Sequence, residues 1–123
     1  ERDGKGERTG SGPEVPSALL YDNLIYMVRN GGLLVAVDAT NGKLLHRERL
    51  NAPGQYSASP VAANDHIYLS SNRGVITTVK VDKEFRITHQ HDLNDPVFVT
   101  PAIDKNTLYV RTEKALWAFR MND

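Results

Sequence analysis

Three stretches of this chain spell one pattern. Ala18–Tyr26, Pro60–Tyr68 and Pro101–Tyr109 each run from a short apolar stretch, through a polar turn, to an aliphatic residue followed by tyrosine. Tyr26, Tyr68 and Tyr109 recur at a spacing of about forty residues, which suits four-stranded propeller blades when the units read as strands. No other feature limits the fold as tightly. A unit of this length cannot cover its own apolar faces, so neighbouring units must stack and cover one another.

The units do read as strands. In the first, strands are predicted over Ala18–Tyr21, Leu24–Arg29, Leu33–Asp38 and Lys43–Leu50. They are separated by Asp22-Asn23, the hairpin signal Asn30-Gly31-Gly32 and the turn Thr40-Asn41-Gly42. Asx and glycine residues suit such turns because they tolerate positive φ. The second unit predicts Ser59–Ala63, His66–Ser71, Val75–Val81 and Phe85–Leu93, with Asn72-Arg73-Gly74 at its hairpin. The third predicts Thr100–Ile103, Thr107–Thr112 and Ala115–Arg120, and no fourth strand. Leu33–Val37 and Ala115–Phe119 are apolar on both faces, which calls for cover above and below. Trp117 accordingly reads as core. The expected architecture is all-β: a partial β-propeller of about three consecutive four-stranded antiparallel blades, the last lacking its outer strand. The repeats cover about 15–50, 57–93 and 98–120 within a unit spanning 15–123. Residues 1–14, with Gly4, Gly6, Gly10 and Gly12 and almost no apolar side chain, cannot offset the entropy of ordering and are expected to be a flexible segment.

Composition removes several function classes. The chain has 15 basic and 15 acidic residues and a formal net charge of 0. Nothing electrostatic therefore favours nucleic acid or an anionic membrane as partner. No apolar run approaches the roughly 20 residues of a membrane-spanning helix. Cysteine is absent, which excludes disulfides, thiolate zinc sites and thiol nucleophiles. There is no Gly-x-Ser-x-Gly elbow and no glycine-rich phosphate loop before a helix. The expectation is a chain without a catalytic residue.

The segment Ala36-Val-Asp38-Ala-Thr-Asn-Gly42-Lys43-Leu-Leu-His46 resembles the blade signature of the PQQ-like β-propeller repeat family, roughly Ala-x-Asp-x-x-x-Gly-Lys-x-x-Trp. The lead-ins Ala58-Ser59-Pro60 and Val99-Thr100-Pro101 are similar to that family too, and the resemblance covers about 15–120. Propellers commonly complete their last blade with a strand from the other end of the chain, so the missing fourth strand of the third unit leads us to expect the C-terminal blades of a larger propeller, with roughly four or five blades elsewhere, since propellers have about 4–8. The resemblance further implies a bacterial extracytoplasmic home, in the periplasm or at the cell surface. The same repeats build quinoprotein dehydrogenases, the propeller subunit of the outer-membrane β-barrel assembly machinery and many secreted bacterial proteins. Two departures stand out. His46 occupies the slot of the signature tryptophan, and His89 holds the matching place in the second unit. That unit also lacks the Asp and Gly-Lys, having Lys80 and Asp82-Lys83-Glu84. Blade docking is then expected to be looser or to use other contacts. The adjacent-cysteine pair of a working quinoprotein is missing, and no tryptophan lies where a cofactor floor would be, so no cofactor is expected.

Three groups of residues are candidate sites. His89 and His91 form a His-x-His pair that strand alternation puts on one face, with Phe85, Ile87 and Leu93. Such a pair suits zinc or copper, but Asp92 points away and no third ligand is evident, so no metal is expected. The Asx residues at 22–23, 64–65 and 104–106 recur in each unit. Calcium needs six to eight converging oxygens, whereas these sit on separate units and suit tight turns. The last group is the rim. Arg29, Arg73, Glu113 and Lys114 lie at the hairpins between second and third strands, and Tyr56 and Phe98 lie on the connectors 51–57 and 94–99. In a propeller these loops gather at one end, and loops on a rigid scaffold carry recognition. A mixed charged and aromatic rim suits a protein or peptide. The preferred expectation is a non-catalytic scaffold or binding module. The alternatives are a piece of a PQQ-dependent dehydrogenase and the sensor domain of a signalling protein. Apolar blade faces left uncovered also lead us to expect self-association.

Overall fold

The computed structural model of the protein describes residues 16–29, 31–52, 54–81 and 84–121. The segment 1–14 lies outside the described residues, as do Asn30 of the first hairpin and Asp82-Lys83. All regular structure described is strand. The order is β1 Leu19–Tyr21, β2 Leu24–Arg29, β3 Leu33–Asp38, β4 Leu44–Arg49, β5 Val61–Ala63, β6 His66–Ser70, β7 Val75–Val81, β8 Phe85–Asp92, β9 Ala102–Asp104, β10 Thr107–Arg111 and β11 Leu116–Arg120. They form three antiparallel sheets, β1-β2-β3-β4, β5-β6-β7-β8 and the three-stranded β9-β10-β11. These are consecutive blades of a β-propeller. The strands differ from the sequence-based bounds by one or two residues at their ends, where side-chain pattern carries least information.

Turn chemistry explains the first corner of each blade. Asp22 and Asn23 have φ of 52° and 66°, and Asn64 and Asp65 have 52° and 61°. Two successive positive-φ residues make the hairpin turn whose twist matches the strands. The recurring Asx residues are therefore turn formers. In the third blade only Lys105, at 57°, takes a positive φ in this turn.

The blades pack face to face through two apolar layers. Tyr26, Val28, Leu34 and Ala36 of the first blade meet Ile67, Leu69, Val79, Val81 and Phe85 of the second. The opposite face of the second blade brings Tyr68 and Ile76 against Leu108, Val110 and Met121 of the third. The middle blade is thus buried on both sides, as its doubly apolar strands require. The innermost strands β1, β5 and β9 lie side by side. Just before them runs a chain of hydrogen bonds. The Ser17 amide donates to Ser59 Oγ at 2.8 Å, and the Ser59 amide donates to Thr100 Oγ1 at 2.9 Å. The small hydroxyl residues of the lead-ins thereby tie each blade to the next.

The fourth strands carry an irregularity that alternation did not foresee. In β4 the partners shift between Ala36 and Val37, and in β8 between Thr78 and Val79. One extra residue, Leu45 or Thr88, stands in each bulge and reverses the facing of the residues beyond it. Phe85 and Ile87 consequently pack toward the first blade. His89, opposite Thr78, turns toward the third. The expectation that His89 and His91 share a face with Phe85 and Ile87 is corrected accordingly. A second correction concerns Trp117. It is 37% exposed rather than core, because β11 has only β10 beside it among the described residues.

Candidate interaction surface

Hairpins and connectors do converge at one end of the blades. The Leu50 amide donates to the Gly32 carbonyl and the Leu93 amide to the Gly74 carbonyl, so each fourth strand leaves beside its own hairpin. The connector after the first blade then crosses to the hairpin of the second. The Asn72 amide donates to the Gln55 carbonyl at 2.7 Å, and Asn72 Oδ1 accepts from the Gln55 amide at 3.1 Å. The connector after the second blade is held from both sides. The Val97 amide reaches the Asn72 carbonyl, and the Glu113 amide reaches the Pro96 carbonyl.

Asp95 is the anchor of this second connector. It is buried, and its Oδ2 accepts the Lys114 amide at 2.9 Å. The Thr112 side chain, then the Lys114 amide and the Lys114 charge, hold its carboxyl below the ordinary value against the opposing effect of burial. Thr112 in turn closes its own hairpin. Its Oγ1 accepts from the Ala115 amide and donates to the Ala115 carbonyl, both at 3.1 Å, and Trp117 Nε1 donates to it at 3.3 Å. No repeat or motif singles out Asp95 or Thr112. The one available signal is the dipeptide Asp95-Pro96, since Asx-Pro initiates turns.

The six rim residues named from the sequence separate into distinct roles. Phe98 and Glu113 come together in a groove of about 300 Å³ with Val99, Arg111 and Thr112. Phe98 and Val99 are 58% and 57% exposed there, although both are apolar. Lys114 is exposed beside this groove, tied to it through Asp95. Arg73 is exposed on the middle hairpin, its stem against Gly54, and Arg29 is exposed at the end of β2. Tyr56 is not a rim residue. It is 1% exposed and belongs to the layer between the first and second blades. A connector needs an apolar plug where it passes under a hairpin, and the Tyr56 ring fills that space against Gly32. Burial pushes its phenol up, with the Thr77 side chain offsetting part of the effect.

The histidines serve packing. His46 stacks on Phe85 at 4.4 Å between ring centroids, so a histidine on one blade and a phenylalanine on the next do the docking assigned by the repeat signature to tryptophan. His89 and His91 lie parallel at 6.0 Å, and His91 stacks on Phe119 at 6.1 Å. Among the described residues no group of three or more His, Asp or Glu side chains converges as a metal site.

A family model described as "Outer membrane protein assembly factor BamB" matches residues 3–120. The chain belongs to this family of PQQ-like β-propeller proteins. The crystal structure of BamB from Moraxella catarrhalis superposes with a TM-score of 0.68 at 18% identity, covering 85% of this chain and 32% of that one. The computationally designed Ika4 protein gives a TM-score of 0.72 at 12% identity, over 88% of this chain and 66% of that one. No curated protein matches the chain. At these identities the likeness to BamB and Ika4 carries the fold. The chain spans about a third of the Moraxella BamB chain and about two thirds of Ika4.

Proposed function

We propose that this chain contributes a non-catalytic protein-binding surface to an extracytoplasmic β-propeller, and that a partner polypeptide seats on the hairpin-and-connector end. The observation that carries the proposal is the rim groove. Phe98 and Val99 stand out from a connector that Asp95 pins in place, with Arg111 and Glu113 beside them. An apolar centre with a charged border is the anatomy of a recognition patch, and an exposed aromatic on a fixed loop makes a good anchor because it loses little freedom on binding. The family supports the same reading, since its described role is assembly of outer membrane proteins. Such a role would place the chain in the periplasm and give it proteins as partners.

A photo-reactive amino acid at position 98 of the intact protein, in its own cells, tests this. It should crosslink a discrete protein partner, whereas the same probe at Asp104, at the opposite end of the third blade, should not. Equal labelling from both positions, or none from 98, would remove the rim as the binding surface. The dehydrogenase alternative predicts instead that the intact protein reduces a dye when given PQQ and calcium.

A further inference from the structure

The turn between β3 and β4 holds the pair Asn41-Gly42. Among the described residues, the other asparagines are followed by Leu24, Ala52, Asp65, Arg73, Asp95 or Thr107, all of which carry side chains. The difference is chemical. The backbone nitrogen of the next residue is the nucleophile nearest an asparagine's side-chain carbon, and a Cβ on that residue crowds the approach. Glycine has none. Gly42 has φ +75°, and nothing lies within 4 Å of where its Cβ would be. Asn41 and Gly42 are both exposed, so water reaches the pair. The turn lies at the end of the first blade away from the hairpins and connectors. There the Ala39 amide donates to the Asn23 carbonyl of the β1–β2 turn at 3.1 Å.

Two hydrogen bonds of this turn act on the atoms that would react. The Lys43 amide donates to Asn41 Oδ1 at 2.8 Å. That oxygen gains negative charge when a nucleophile adds to the side-chain carbon, and an amide already aimed at it stabilises the charge. The Gly42 amide donates to the Asp38 carbonyl at 2.8 Å, so this bond must open before the nitrogen can lose its proton. The opening is local. A bond in an exposed turn breaks at a small fraction of the cost of unfolding the whole chain. The Asp38 carboxylate, bonded by the Thr40 hydroxyl and amide, holds the start of the turn in place meanwhile.

We propose that Asn41 is a modification site, at which the folded chain converts asparagine to a mixture of aspartate and isoaspartate with water as the only co-reactant. Hydroxide takes the Gly42 amide proton, and the nitrogen adds to Asn41 Cγ. The side-chain nitrogen then leaves as ammonia, taking a proton from water and regenerating the hydroxide. Water opens the resulting five-membered succinimide. Cleavage at Cγ gives aspartate, and cleavage at the backbone carbonyl gives isoaspartate. Nothing is oxidised or reduced. The two products differ in consequence. Aspartate keeps an acceptor for the Lys43 amide. Isoaspartate routes the chain through the former side chain and adds a backbone atom inside the turn. The bond from the Asp38 amide to the Lys43 carbonyl, at 2.9 Å, then loses its register, and the start of β4 loosens. This turn lies apart from the rim groove, so the proposal stands or falls independently of the function above.

The test is to age the 123-residue chain in warm, mildly alkaline buffer and map it by mass spectrometry. A gain of about 1 Da, the replacement of NH2 by OH, should accumulate at position 41. It should do so at least tenfold faster than at any asparagine followed by a side chain. Fragment spectra separate it from a gain at Asn30, which also precedes glycine. A protease that cuts before aspartate but not before isoaspartate should leave part of the product uncut. Gly42→Ala should slow the gain at least tenfold. Asn41→Gln, which leaves the glycine of the turn in place, should remove it. Hydrogen exchange in Leu44–Arg49 should quicken in the aged parent but not in aged Asn41→Gln. No gain at position 41 while a short peptide copying Asp38–His46 converts would overturn the proposal, because the folded turn would then guard the pair. A gain untouched by Gly42→Ala, or exchange in β4 that quickens equally in Asn41→Gln, would overturn it as well.

Discussion

At the scale of single residues, Asp95 shows how one carboxylate can fix a recognition loop. It sits where the chain crosses between blades, and its Oδ2 accepts from the amide of Lys114 on the next hairpin. The Thr112 side chain, and then Lys114, favour its ionised form, so its carboxyl titrates below the ordinary 3.8. The sign of the consequence is fixed by linkage. A group whose folded value is depressed adds stability that is complete above its unfolded value, and that stability disappears as the pH falls through the folded value. Asp95→Asn should therefore lower the urea midpoint at pH 7, and the gap from the parent should close below pH 3.8. A gap that persists undiminished at a pH of about 2.5, well under that value, would mean the carboxylate charge is not what holds the connector. Asp38, lowered mainly by the Thr40 hydroxyl and amide, contributes an acid limb to both proteins and leaves the comparison intact.

Elements depend on backbone as much as on side chains, and the hairpins make this testable. Gly74 has φ +98°, and a Cβ there would collide with the Asp95 carbonyl oxygen. Gly42 has φ +75° with nothing within 4 Å of its Cβ position. Both substitutions to alanine meet the left-handed penalty of about 1–2 kcal/mol, but only Gly74→Ala also forces backbone apart. It should cost at least about 1 kcal/mol more than Gly42→Ala in urea unfolding, since overpacking typically adds about 1–3 kcal/mol. Equal costs would show that the connector yields freely. The same elements show what a sequence can and cannot disclose. Asp22-Asn23 and Asn64-Asp65 announce their turns because positive φ restricts the residues that fit. The interior strands are legible because Leu34, Ala36, Ile76 and Val79 are apolar on faces that must be covered. The bulges at Leu45 and Thr88 are not legible. An extra residue leaves no mark on composition, yet it reverses alternation, and with it the facing of His89. Tyr56 escapes for a related reason: an aromatic in a connector looks the same whether it caps a groove or plugs the space beneath a hairpin. Phe98 and Glu113 can be assigned to loops from the sequence, but the groove they share depends on Asp95, whose role lies in a hydrogen bond across blades.

At the scale of the whole molecule, three blades form an array with two unlike ends. The face of the first blade that points away from the second exposes Leu20 at 68% and Leu44 at 51%. The face of the third blade that points away from the second carries Tyr109, Ala118 and Leu116, the last at 67% exposure. These faces match the two sides of every interior interface, so a contact between copies of this chain is expected to run head to tail. A heterologous contact of this kind closes into a ring or runs on as a filament. Two copies would bring together about six blades, within the range of about 4–8 that propellers use. Light scattering at tens of micromolar should therefore give at least twice the mass of one chain. Leu20→Glu and Leu116→Glu should each reduce assembly at least tenfold, because each spoils one partner face. Mixing the two variants should restore pairs, since the intact third-blade face of Leu20→Glu still fits the intact first-blade face of Leu116→Glu. An isologous contact behaves otherwise: one variant alone would abolish it, the other would leave it untouched, and mixing would rescue nothing. A single-chain mass for the parent protein would remove the contact altogether.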